Sequence, residues 1–225
     1  MGGMARWSPL SGAVFVALSA VAFVLRSDAP LDDASDTTIL EYFNSSGHRD
    51  RDIAAFLCAL AAALFFVWFL SALCTRLARA EGKAGALTAA AFGAGLISAT
   101  LWLAAKAFLI SSSAASTTSE FHLDPNTFRI LNDVGFILWI SGTTIASVTV
   151  IATALVSLRS GLLPRWLAWL SLLVAATMLL AVLAFFFLSW LGWVLIVSIV
   201  LAWRHESPGE GTDSAAGPQT TAGAG

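Results

Sequence analysis

From Trp166 to Trp203 the chain runs for 38 residues without one charged side chain. As a single α-helix that stretch would be about 57 Å long, nearly twice the roughly 30 Å hydrocarbon core of a bilayer. It must therefore fold back on itself, and the division into two short spans is expected near Phe187–Ser189. Composition agrees: of 225 residues, 58% are hydrophobic and 12% charged, and the mean hydropathy is +0.81. A soluble domain carries roughly 45–50% apolar and about 25% charged residues. Soluble, disordered, collagenous and disulfide-framework classes are excluded on that arithmetic. A multi-pass membrane protein remains.

The expected fold is all-α, a polytopic bundle of six transmembrane helices occupying residues 9–203. The spans fall at about 9–25, 53–73, 84–110, 128–158, 166–186 and 188–203. Outer loops cover 26–52 and 111–127, residues 1–8 form a cytoplasmic N-terminus, and 204–225 form a disordered cytoplasmic tail. The six prolines, at 9, 30, 125, 164, 208 and 218, lie at or outside the span ends. Ser8-Pro9 and Asp124-Pro125 each set a capping side chain before a proline at the first helical position, where no N–H is needed. A short helix is expected inside the first outer loop, started by Ser35 and carrying Ile39, Leu40 and Phe43 on one face.

Lysines and arginines orient the bundle. Arg6, Arg76, Arg79, Lys83, Arg159, Arg165 and Arg204 fall on one side, and Arg26, Arg49, Arg51 and Arg129 on the other. The first set marks the cytoplasm, so both termini are expected there, in a cell (plasma or inner) membrane. Ala20-Val21-Ala22 has the small-x-small form of a signal-peptide cleavage site. Apolar sequence nevertheless continues to Leu25, and the first span is expected to be retained.

Several pieces carry a resemblance. They are Asp33-Ala34-Ser35-Asp36 with Ile39, Tyr42 and Phe43, the turn with Arg76, Arg79 and Glu81-Gly82, and the run from Leu163-Pro164-Arg165-Trp166 to Leu170. On these the chain resembles a bacterial family of six-helix integral membrane proteins of unknown function, over most of residues 9–204. The resemblance implies the same topology and brings no functional residues with it.

Ionisable groups inside spans are costly and are the first candidates for function. Lys106 in the third span and Asp133 in the fourth lie at similar depth below the outer surface, roughly 9 Å by helical rise. An ion pair between them is expected, with Arg129 a turn above Asp133 as a third member, acting as a ligand site or as a register-setting contact. The plainer alternative is a lysine that snorkels to the headgroups. Thr143, Thr144 and Ser147 in the fourth span and the Ala91, Gly95, Ala99 row in the third read as packing surfaces rather than a solute path.

His48, Asp50, His122 and Asp124 could ligate a divalent cation if the two outer loops met, although histidines and acids are ordinary on solvated loops. Cys58 and Cys74 stand 16 residues apart on one helix, about 24 Å, and cannot bridge. No catalytic signature, cofactor motif or phosphate-cradling glycine loop occurs. A net charge of −2 gives no footprint for nucleic acid. The expected function is non-catalytic: binding of a lipid or small amphiphile, or of a protein partner or second copy, at the outward half. The rival is a secondary transporter or an outward-facing intramembrane enzyme, metal-dependent if the loop histidines ligate.

Overall fold

The computed structural model describes residues 10–82, 85–117, 123–179 and 186–203, and those residues are all-helical, with no strand among them. Seven helices follow one another: α1 (Ser11–Leu25), α2 (Asp36–Asn44), α3 (Ser46–Glu81), α4 (Ala86–Ala115), α5 (Pro125–Ser160), α6 (Arg165–Leu179) and α7 (Phe186–Trp203). The three central ones, α3, α4 and α5, are each long and apolar enough to cross a membrane. Ser11–Leu25, Arg165–Leu179 and Leu188–Trp203 are shorter apolar helices; α7 is already helical at Phe186, so the expected division at Phe187–Ser189 does not fall there. Large side chains such as Val24, Leu64, Trp68, Ile97, Ile137, Leu173 and Trp203 face outward from all six helices other than α2. An apolar belt of that extent is what lipid accepts and water does not. The protein is a helical membrane protein.

Six helices form a ring in which each packs on its neighbours: α1 on α3, α3 on α4, α4 on α5, α5 on α6, α6 on α7, and α7 back on α1. Lipid tails are as apolar as leucine, so close packing and interhelical hydrogen bonds must hold such a ring, not expulsion from water. The middle of the ring is filled by aromatic rings. Phe15 of α1 stands 5.0 Å from Phe66 of α3, 6.1 Å from Trp102 of α4 and 5.4 Å from Trp190 of α7, between ring centres. Trp193 Nε1 donates to Ser171 Oγ at 2.7 Å and ties α7 to α6. Cys58 and Cys74 are free thiols.

Helix starts follow local chemistry. Asp124 accepts from the amides of Asn126 and Thr127, with Pro125 next to it, and so opens α5. Ser35 accepts from the Thr38 amide and opens α2. Ile39, Tyr42 and Phe43 of α2 are buried, whereas Leu40 faces outward. The apolar face of α2 is therefore turned by one position from the expected set, because Tyr42 takes the inward place.

α3 differs most from a reading by hydropathy. It begins at Ser46, so His48 to Asp52 are helical rather than part of a loop ending at 52. Hydropathy stops at a charge, but arginine forms helix nearly as readily as leucine, and the break comes only at the extended Ser45.

Candidate functional site

The end of the bundle beneath α2 gathers charge. Asp52 sits in the second turn of α3 with a side chain wholly shielded from solvent. Three elements serve it. Arg26, just past the end of α1, places Nε 3.3 Å from Oδ1. Tyr42 of α2 donates its hydroxyl to the same oxygen at 3.1 Å, and Ser113 of α4 donates to Oδ2. A buried carboxylate is tolerated when paired and hydrogen-bonded in this way. Desolvation, with the Asp52 carboxylate as the second cause, pushes the Tyr42 hydroxyl up to about 12, so it remains a donor through the physiological range.

Lys106 shares this place. Trp102, Lys106, Ile110 and Ser113 are spaced four, four and three residues apart and therefore occupy one face of α4. A cleft is lined by Ala22 and Arg26 of the first segment, Asp52, Ala55 and Phe56 of α3, and Lys106 and Ile110 of α4. It measures about 230 Å³ with its open mouth, and only about 10 Å³ of it admits the centre of a water molecule, which is room for roughly one water. Lys106 Nζ lies 5.8 Å from the centre of the Trp102 ring, within reach of a cation–π attraction. The cleft thus holds two cations and one anion.

α2 roofs this end and is fastened at both its termini by arginine. Arg129 of α5 donates to the carbonyls of Asp32 (3.0 Å) and Ala34 (2.9 Å) and to Asp36 (2.8 Å). Arg49 donates to the carbonyl of Phe43 at 2.8 Å, satisfying an orphan acceptor at the helix C-terminus. Phe43 packs on Phe128 of α5, their ring centres 5.3 Å apart.

The expected Lys106–Asp133 pair is not formed. Asp133 is exposed on α5, and no ion pair joins it to Lys106. The reason is rotational. Gly135 and Gly142 turn one face of α5 onto α4: a Cβ on Gly135 would lie 3.2 Å from the carbonyl oxygen of Ala105, and one on Gly142 3.2 Å from that of Ser98. Asp133, two residues before Gly135, is about 200° around the helix and points away. Lys106 stands one position past Ala105 and so turns toward α1 and α3 instead. Arg129 is not a third member of a pair with Asp133 but the anchor of α2.

The loop candidates do not converge on a cation. His48 stacks on Tyr42, the rings 4.4 Å apart and nearly parallel at 6°. Asp50 is exposed, Asp124 caps α5, and His122 lies outside the described residues. No group of three or more potential ligands forms among the described residues.

Arg26, Asp52, Tyr42 and Ser113 escaped the sequence reading. A signal was present: Arg26 directly follows the first apolar run and Asp52 directly precedes the second, so antiparallel helices bring them level.

Below the cleft, Thr143 and Ser147 of α5 bond carbonyls of their own helix. Thr143 donates to the Trp139 carbonyl, Ser147 to that of Thr144, and Thr153 to that of Thr149. Thr149 crosses from α5 to the carbonyl of Ala91 on α4 at 2.9 Å. Comparison with known proteins adds no template: no family model, curated protein or solved structure matches the chain.

Proposed function

We propose that this is a six-span protein of the cell membrane, with both termini in the cytoplasm, that binds a small amphiphile at the α2 end of its bundle without catalysing a reaction. Six spans follow from treating the three shorter apolar helices as crossings alongside α3, α4 and α5. The orientation rests on the bias of lysine and arginine toward the α3–α4 and α5–α6 turns. The resemblance to a bacterial six-helix family of unknown function fits that topology.

The observation that carries the functional reading is the contrast in polarity along the bundle axis. Arg26, Asp52 and Lys106 surround a cleft at one end, while an aromatic plug and carbonyl-bonded hydroxyls occupy what lies beneath. A transporter needs a polar route past that plug, but Thr143, Ser147, Thr149 and Thr153 of α5 each bond a backbone carbonyl, and the buried hydroxyls without a partner, Ser19, Ser112 and Ser157, stand on three different helices. Buried charge beside a cleft open at one end suits a polar head held in place with its apolar part in lipid.

Native mass spectrometry of the protein extracted in a mild detergent tests this. Retained adducts of amphiphile mass are expected, with markedly fewer when Ala55→Trp fills the cleft. A spectrum free of adducts over a range of detergents and activation energies would count against binding. Counterflow of solute in proteoliposomes would favour the transport reading instead.

A further inference from the structure

The geometry points to a phosphate group of net negative charge as what the cleft takes, held between Arg26 and Lys106, with an anionic phospholipid headgroup as its source. This deepens the amphiphile reading and rests on it. The cleft contains two cations and one carboxylate, so it is one negative charge short. Asp52 cannot supply the difference, because Arg26, Tyr42 and Ser113 already engage both of its oxygens. Arg26 meets Asp52 through Nε, and among the described residues no second ion pair engages Arg26 and none engages Lys106.

A half-buried ammonium with only a ring face nearby, beside a guanidinium with spare donors, is under-compensated where water is scarce. An oxyanion with several acceptor oxygens would meet both: the guanidinium through its planar fork and the ammonium as a point charge, the pairing used for phosphates in general. The inner space fits about one water, so an oxygen of the group enters while its body stays at the mouth. Asp52 then acts as a positioning residue. It holds Arg26 through Nε at the wall of the cleft. Tyr42 and Ser113 hold the carboxylate in turn, which ties α2 and α4 to the arrangement.

The experiment measures thermal stabilisation and native-mass adducts of the full chain in detergent with three additives: phosphatidylglycerol, phosphatidylcholine and inorganic phosphate. The wild type should favour phosphatidylglycerol over phosphatidylcholine by at least about tenfold. Lys106→Met keeps the aliphatic stem and should erase that preference, and Lys106→Arg should retain it. Equal binding of the two lipids by the wild type overturns the inference, whether or not any variant folds, while leaving the amphiphile reading intact. A preference unchanged in Lys106→Met also overturns it. Inorganic phosphate stabilising the protein fully, with no lipid adduct, keeps the phosphate site but removes both the lipid source and the amphiphile reading. No binding of any additive overturns both.

Discussion

The two ends of the bundle use charge differently. At the far end Arg76 of α3 donates to the carbonyl of Leu201 on α7 at 2.7 Å, and Glu81 accepts from the amides of Leu87 and Thr88, both at 2.8 Å, as a cap for α4. These groups satisfy backbone left over at helix ends, and the chemistry stops there. Beneath α2, by contrast, a carboxylate is surrounded by donors from three elements while two cations beside it keep donors in reserve. The lesson is that charge at a helix end is not informative by itself. What distinguishes a candidate site is charge left over after the local backbone and partners are satisfied.

That difference can be broken most forcefully at Asp52. Asp52→Ala leaves Arg26 and Lys106 facing each other with no anion between them, and should lower stability by about 3–5 kcal/mol, as when one partner of a buried pair is removed. Reversible unfolding in detergent micelles reads it, and an unchanged midpoint would mean that water already compensates the cluster.

Tyr42→Phe removes one hydrogen bond to that carboxylate, an expected loss of about 1.5–3 kcal/mol. The effect has a pH signature. Because the folded-state value is raised from 10.0 to about 12, the hydroxyl's contribution is fully present below pH 10 and is lost as pH rises toward 12. The gap between wild type and Tyr42→Phe should therefore close over that window.

In the packed half the sensitive quantity is volume. Gly142→Leu must fit between Leu101 Cβ and the Ser98 carbonyl oxygen, each 3.2 Å from the Cβ position, and overpacking of this kind typically costs about 1–3 kcal/mol. It should leave lipid preference unaltered, which separates the two regions directly. Smallest is Thr149→Val, which deletes the bond from α5 to the Ala91 carbonyl; such bonds between membrane helices average about 0.6 kcal/mol.

Much of the fold was legible in the chain, and for physical reasons. Long uncharged runs, prolines at span ends and the Ser35 and Asp124 caps are local signals, and each acts within a turn or two of itself. The site was half legible. Lys106 announced itself because a lysine within an apolar run is expensive wherever the run packs. Its partner is not legible in the chain, because depth along a helix is readable from residue counts, whereas rotation about the axis depends on which face meets which neighbour. Gly135 and Gly142 set that rotation between α4 and α5, and their close approach exists only once both helices are in place. Asp52 was hidden differently. Hydropathy marks it as loop because it follows Arg49, Asp50 and Arg51, yet the helix continues through all of them.

The most direct test is a density map of the protein in a bilayer of its native lipids, read at two places. An anionic headgroup within about 4 Å of Lys106 Nζ and the Arg26 guanidinium, above a plug of Phe15, Phe66, Trp102 and Trp190 free of solvent, is the expected result. An empty cleft with a file of ordered water or solute running between α4 and α5 past Thr143 and Ser147 would contradict it.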